Sequence, residues 1–99
     1  MTFIYKTNGI YLGFFHENNI FNRDGVYLGW LENEFAWGFD GQYRGQLTKI
    51  NNNFYILRNI YSAPPIPKTP RSTPPTPSIP NPPPNITPIN PNIGFKDAF

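Results

Sequence analysis

One eight-residue pattern occurs three times in the first half of the chain, and its copies start at the evenly spaced positions 8, 24 and 40. Each copy contains the motif Gly-x-Tyr-x-Gly. The repeated positions are Gly9, Tyr11 and Gly13, then Gly25, Tyr27 and Gly29, then Gly41, Tyr43 and Gly45. Asn or Asp precedes each motif, and Asn-Gly or Asp-Gly between apolar runs is a strong signal of a β-hairpin. Since the spacing between copies accommodates one hairpin, the repeat predicts a series of hairpins.

These signals predict an all-β fold, an eight-stranded antiparallel meander. The predicted strands cover residues 2–6, 10–16, 19–23, 26–31, 35–39, 42–49, 54–57 and 60–63. Two-residue type I′ turns are predicted at the three Asn/Asp-Gly pairs, and looser turns at residues 17–19, 32–34 and 50–53. The fourth unit, residues 54–63, lacks the turn glycine and has Ala63 at the second glycine position, as expected of an atypical terminal repeat.

Composition divides the chain into an aromatic-rich part and a proline-rich part. All 13 prolines lie between Pro64 and Pro91, whereas 15 of the 17 aromatic residues lie in residues 1–63. Residues 1–63 are therefore predicted to form the β domain. Residues 64–92 are predicted to be an extended arm, because proline cannot join a sheet interior and favours polyproline II. Residues 93–99 regain apolar side chains and are predicted to be a C-terminal anchor.

Side-chain alternation assigns the two faces of the sheet, given two-residue turns at the glycines. The face with the repeated tyrosines and glycines, together with Phe15, Leu31 and Leu47, is predicted to be the core. Ile4, Ile20 and Ala36 are predicted to lie opposite the three strand glycines. On the other face, Tyr5 is predicted opposite Leu12, Phe21 opposite Leu28, and Trp37 opposite Arg44. The candidate interaction surface there consists of Tyr5, Leu12, Phe14, Phe21, Leu28, Trp30 and Trp37, an apolar patch that monomers rarely expose.

Charge argues against a nucleic-acid partner. Residues 1–63 contain five basic and five acidic side chains, and the net charge of +2 comes entirely from the residues after them. A nucleic-acid-binding domain normally has a basic face on its folded part. No apolar run is long enough to cross a bilayer and the N-terminus lacks a signal-peptide pattern, so no membrane partner is expected. The default location is the cytoplasm, with a virus particle and non-classical secretion left open.

The sequence predicts no catalytic, cofactor-binding or metal site, and no enzyme activity. Cysteine is absent and His16 is the only histidine, so thiolate metal sites and a Cys-His pair are unavailable. Asp24 and Asp40 precede turn glycines, where aspartate suits the backbone conformation without any catalytic role.

The three Gly-x-Tyr-x-Gly units and the Pro-x-x-Pro tail together resemble the 4-fold beta flower proteins, small bacterial and phage-associated proteins. This resemblance implies four hairpins around a pseudo-fourfold axis and brings no catalytic residues to any position. The MORN repeat also contains Tyr-x-Gly-x-Trp, as in residues 27–30, but its units are longer and contain further glycines.

The expected function is a non-catalytic assembly or binding module. Its arm is predicted to dock on its own β domain, on a neighbouring subunit or on a protein partner, because aromatic grooves recognise polyproline II. One alternative is an adaptor that presents residues 65–71 to proline-reading domains, since basic residues flank a PxxP segment there. A phage-associated or carbohydrate-binding role is a further alternative, because Trp30 and Trp37 could stack on sugars.

Overall fold

The computed structural model describes residues 1–99 and contains eight β-strands. They are β1 (Thr2–Tyr5), β2 (Tyr11–His16), β3 (Asn19–Asn22), β4 (Tyr27–Glu32), β5 (Phe35–Gly38), β6 (Tyr43–Ile50), β7 (Asn53–Asn59) and β8 (Phe95–Asp97). The sheet follows chain order, and β1 also pairs in parallel with β7, so the first seven strands close into a barrel. The all-β prediction is confirmed. The chain forms no helix that is long and apolar enough to cross a membrane.

The strand glycines allow the hairpins to pack closely, as predicted. Ile4, Ile20 and Ala36 lie opposite Gly13, Gly29 and Gly45 in the sheet. A Cβ atom at Gly13 would overlap the carbonyl oxygen of Phe21, and one at Gly45 would lie 2.5 Å from the carbonyl oxygen of Leu57. Each strand glycine therefore accommodates the backbone of the following hairpin, and the molecule is a flat disc with extents of 35 × 35 × 18 Å.

The prediction of turn types is wrong, because the two kinds of turn are exchanged. At the first glycine turn, Gly9 N–H donates to the Lys6 carbonyl and Lys6 N–H donates to the Ile10 carbonyl, both at 2.9 Å. Only the glycine has positive φ there, as in a three-residue loop with a bulge. The other two glycine turns have the same hydrogen bonds. The two-residue turns with positive φ at both positions are instead Glu17-Asn18, Asn33-Glu34 and Asn51-Asn52.

The bulges change which residues face the core. Each shifts the register by one residue, so Tyr5 pairs with Tyr11, Phe21 with Tyr27, and Trp37 with Tyr43. The predicted pairs of Tyr5 with Leu12, Phe21 with Leu28 and Trp37 with Arg44 are wrong. The repeated tyrosines consequently share the outer face with those aromatic partners, so the prediction that they lie in the core is also wrong.

The inner cluster of the barrel consists of Ile4, Ile20, Leu31, Ala36 and Ile56, packed against Leu12, Phe15, Leu28, Leu47, Ala98 and Phe99. Phe15, Leu31 and Leu47 therefore lie inside, where the alternation had put them. Leu12 and Leu28 also lie inside rather than on the outer patch, because the bulge reverses the side of the sheet to which they belong.

The fourth unit is completed by the end of the chain. No strand forms over residues 60–63, contrary to the prediction; β8 pairs antiparallel with β7 instead, with Leu57 opposite Asp97 and Asn59 opposite Phe95. Gly94 has positive φ and its carbonyl accepts from Ile60 N–H at 2.8 Å. The spacing of Gly94 and Ala98 matches that of Gly9 and Gly13. Residues 60–94 thus connect the two strands of the fourth antiparallel pair.

Candidate functional site: the outer aromatic face and its arm

Aromatic side chains cover the outside of the barrel. We define the outer aromatic face as Tyr5, Tyr11, Phe14, Phe21, Trp30 and Trp37, none of which is more than 7% exposed. Phe14 stacks on Phe21 with ring centroids 5.4 Å apart, and Trp37 meets Tyr43 edge to face at 5.5 Å. Five of the seven residues predicted for the interaction surface belong to this face; Leu12 and Leu28 do not.

Two basic residues of the arm lie on the two tryptophans. The Lys68 Nζ atom is 4.9 Å from the ring centroid of Trp37, and the Arg71 guanidinium carbon is 4.5 Å from that of Trp30. Both cations also pair with the Glu32 carboxylate, at 2.5 and 2.7 Å respectively. Arg44, which was predicted opposite Trp37, lies elsewhere. Glu32 thus fixes the part of the arm that covers the tryptophans. We call this contact region, formed by Lys68 and Arg71 with Trp37, Trp30 and Glu32, the first seat of the arm.

The turn glycines form the second seat of the arm. Lys68 N–H donates to the Gly41 carbonyl and Ile86 N–H donates to the Gly9 carbonyl, both at 2.9 Å. A Cβ atom at Gly25 would lie 2.8 Å from the Ile79 side chain. The arm therefore meets the three glycine loops in reverse chain order. A Cβ atom at Gly9 or Gly41 would overlap the backbone of the arm. Sequence reasoning assigned these glycines to turns alone.

Between these contacts, one edge of the arm faces the β domain. Every third residue is partly buried and the residues between are exposed; the partly buried ones are Pro74, Pro77, Pro80, Pro83, Ile86 and Ile89. Ile86 and Ile89 pack against a cluster formed by Tyr5, Tyr11, Tyr55 and Leu57. The apolar contacts of the arm are therefore spread along its length.

The last residues of the chain occupy a third seat, where the contacts are polar and directional. Thr7 donates to both carboxylate oxygens of Asp97, from its backbone N–H at 2.9 Å and from its hydroxyl at 2.7 Å. Arg44 donates twice to the Ala98 carbonyl, from Nε at 3.1 Å and from Nη2 at 2.6 Å. The same guanidinium lies 4.3 Å from the centroid of the Phe99 ring. The third seat therefore contacts the carboxylate of Asp97, the backbone of Ala98 and the ring of Phe99.

Sequence reasoning did not single out Thr7, Glu32, Arg44 or Asp97 for any such role. A signal for the third seat was present in the Gly94–Ala98 spacing, which repeats the spacing of the hairpin glycines. No comparable signal marks Glu32, because its partners Lys68 and Arg71 are distant in sequence and meet it only through the course of the arm.

Replacing Thr7 with valine is expected to destabilise the protein by about 1 to 2 kcal/mol, because a part-buried carboxylate loses a hydroxyl donor while the side-chain shape is kept. Thr48→Val is the matched control, since the Thr48 hydroxyl bonds the Gln46 carbonyl in an exposed position. Urea unfolding of both variants measures the difference. Equal effects of the two substitutions would contradict the role given to Thr7.

The first seat is expected to weaken in acid. Hydrogen bonding from Lys68 holds the pKa of the Glu32 carboxyl below its ordinary value of 4.5, and the charges of Lys68 and Arg71 act in the same direction. A lowered folded-state pKa stabilises the protein above the unfolded-state pKa, and this contribution is lost as the pH falls through the lowered value. Tryptophan fluorescence of the native chain should therefore change as the pH falls through the lowered pKa of Glu32. The Glu32→Gln variant should lack this acid-induced change. The same acid transition in both proteins would contradict the assignment.

The tyrosines contribute neutral hydroxyl groups to this region. Burial raises the pKa of Tyr11, Tyr27, Tyr43 and Tyr55 above the ordinary value of 10.0. His16 is partly exposed and lies 3.8 Å from Glu17, beside Pro74–Pro77 of the arm. The face thus offers aromatic surfaces, backbone carbonyls and a few charged groups, which are means of holding an extended segment.

Comparisons with known proteins identify the family of the chain. Searches of curated proteins and of solved structures gave no match. The family model described as "4-fold beta flower protein" matches residues 1–95, which include the β domain, the arm and the first residue of β8. The chain belongs to the 4-fold beta flower protein family.

Proposed function

We propose that this chain is a non-catalytic binding and assembly module whose outer aromatic face reads extended, proline-rich segments. Its own arm is the resident ligand, and the arm of a neighbouring subunit or a similar segment of a protein partner takes its place when the arm is released. The contact of Lys68 and Arg71 with Trp37, Trp30 and Glu32 is the observation that carries this proposal. We further propose that the protein acts in the cytoplasm.

The chemistry of the first seat supports recognition of basic, proline-containing segments. A cation over a tryptophan ring contributes about 0.5 to 2 kcal/mol, depending on its exposure to water. Two cations that each lie over a tryptophan ring and share one carboxylate favour a segment with two basic residues three positions apart, as in Lys68-Thr69-Pro70-Arg71. The partly buried edge at every third residue of the arm matches the three-residue turn of polyproline II.

The third seat supports exchange with an equivalent segment. β8 adds to the edge of β7 through backbone hydrogen bonds, which any strand of suitable sequence can form. Thr7 and Arg44 then restrict which sequences fit. A second copy of this chain meets every one of these requirements, so a neighbouring subunit is the first partner to test.

The experiment measures binding of a fluorescent peptide of residues 64–99 to the full chain. Wild-type protein should bind weakly, because its own arm occupies the face. The variant Asp97→Ala loosens the resident arm and should bind the peptide at least about tenfold more tightly, a difference of about 1.4 kcal/mol. Light scattering over a range of concentrations would show whether the same variant self-associates more than wild type. Absence of peptide binding to both proteins would refute the proposal.

A second candidate function, an adaptor that presents a PxxP ligand, is favoured by the exposure of one part of the arm. Residues 61–73 are exposed throughout, and the Ile66 side chain is 88% exposed. A proline-reading domain would have to compete with Glu32 for Lys68 and Arg71. Glu32→Gln should therefore increase the affinity of such a domain for the chain, whereas it should reduce the retention of the arm on the face.

A further inference from the structure

A cleft lies at the hairpin tips, apart from the seats of the arm except at one wall. Its volume is about 460 Å³, within the range of small-molecule sites. The apolar part of its lining comes from Phe15, Leu31 and Leu47, which occupy the same position in the three repeats. Leu31 is 7% exposed, and the other two are half-buried. The cleft therefore has an apolar floor that the repeat itself creates.

The rim of this cleft is acidic. Glu17, Glu32 and Glu34 all line it, and they are the only glutamates in the chain. Glu32 is neutralised by Lys68 and Arg71, whereas neither Glu17 nor Glu34 pairs with a lysine or arginine. One cleft thus contains two carboxylates without a strong cationic partner, in a chain whose net charge is +2.

The arrangement of the carboxylates favours an organic cation over a metal ion. No three His, Cys, Asp or Glu side chains lie close enough to share a metal ion. The glutamates stand on separate two-residue turns, with Glu17 at φ 51° and Glu34 at φ 69°. A ligand that satisfies both carboxylates and the floor must carry positive charge on an apolar body.

We propose that this cleft binds small amphipathic organic cations, with an ammonium or guanidinium group at the rim and a short apolar or aromatic body on Phe15, Leu31 and Leu47. The proposal does not rest on the proposed function, because the floor and the two carboxylates that pair with no lysine or arginine belong to the β domain. Arg71, which forms one wall, opposes the ligand by charge. Ligand binding and docking of the first seat are therefore coupled negatively.

The test uses three probes of similar size, namely 2-phenylethylammonium, neutral 2-phenylethanol and anionic 3-phenylpropionate. Each is titrated into the full-length chain at low ionic strength, and the methyl NMR signals of Leu31 and Leu47 are followed. The cation should shift these signals and bind about fivefold to tenfold more tightly than the neutral probe, as expected for partly exposed ion pairs. Equal binding of the cation and the neutral probe, or no binding of the cation, overturns the proposal.

Two kinds of variant give opposite expected results. Glu17→Asn and Glu34→Asn remove a carboxylate at positions where asparagine suits the positive φ, so the fold is retained and cation affinity should fall about two- to fivefold for each. Arg71→Gln removes a repelling charge and one of the two cations that pair with Glu32, so cation affinity should rise. Calcium ions added alone should leave the methyl signals unchanged. A shift by calcium at these positions, or no response to any of the three substitutions, refutes the assignment.

Discussion

Replacing Trp30 with alanine is expected to lower the free energy of unfolding by about 3 to 5 kcal/mol, the usual cost of removing a large ring from a well-packed site. Trp30 is fully buried, with 0% exposure, and Arg71 of the arm covers one side of its ring. Its indole N–H has no hydrogen-bond partner, so the expected loss comes from packing and from the cation–π contact. Thermal or urea unfolding of the full chain measures it.

Gln46→Ala is the matched control for this substitution. Gln46 occupies the position in the third repeat that Trp30 occupies in the second, but its side chain is exposed. Its replacement should change stability by no more than about 0.5 kcal/mol. A double-mutant cycle of Trp30→Ala with Arg71→Ala should give a coupling energy of about 0.5 to 2 kcal/mol. A small loss on Trp30→Ala, with no coupling, would refute the view that the arm covers this ring.

The second large effect is expected at Gly13. A Cβ atom there would overlap the carbonyl oxygen of Phe21 and lie 2.7 Å from the Cα atom of Asn22. Both are backbone atoms of the next hairpin and cannot move alone, so Gly13→Ala should cost at least about 3 kcal/mol, the upper end of ordinary overpacking. Without the clash, the same change would be expected to stabilise by about 0.4 to 1 kcal/mol through the unfolded state.

Gly38→Ala supplies the comparison, because the nearest atom to its Cβ position is a side-chain oxygen of Asp40, at 2.9 Å. A side chain at an exposed turn can shift, so a change of about 1 kcal/mol or less is expected. Calorimetry of the two variants would distinguish a backbone contact from the general cost of adding a methyl group to a strand. Similar melting temperatures for Gly13→Ala and Gly38→Ala would show that the hairpins do not converge at Gly13.

The arm gives the fold one long connection between paired strands, which a closed barrel of hairpins alone lacks. In the first three units a three-residue loop joins the paired strands, whereas in the fourth unit residues 60–94 join β7 to β8. A long connection costs only slightly more closure entropy than a moderate one. The fourth pair therefore has a connection long enough to extend around the disc, and its last strand, β8, pairs with β7 alone.

The sequence by itself determined the all-β class, the repeated hairpin unit and the pairing of Ile4, Ile20 and Ala36 with the strand glycines. These features follow from local rules: asparagine, aspartate and glycine punctuate the chain, and alternation places neighbouring residues on opposite sides of the sheet. The same local information predicted that the outer face is apolar and needs a cover.

Only the tertiary structure decided the turn types, the side of each repeated tyrosine and the partner of β7. A single bulge per hairpin reverses the side of Tyr11 and Leu12, and an Asn-Gly or Asp-Gly pair is compatible both with a two-residue turn and with a three-residue loop that contains a bulge. The pairing of Glu32 with Lys68 and Arg71, and that of Thr7 with Asp97, joins residues that are far apart in the chain. Local propensity contains no information about such contacts, because they arise only when the arm has passed around the disc and its end has added to β7.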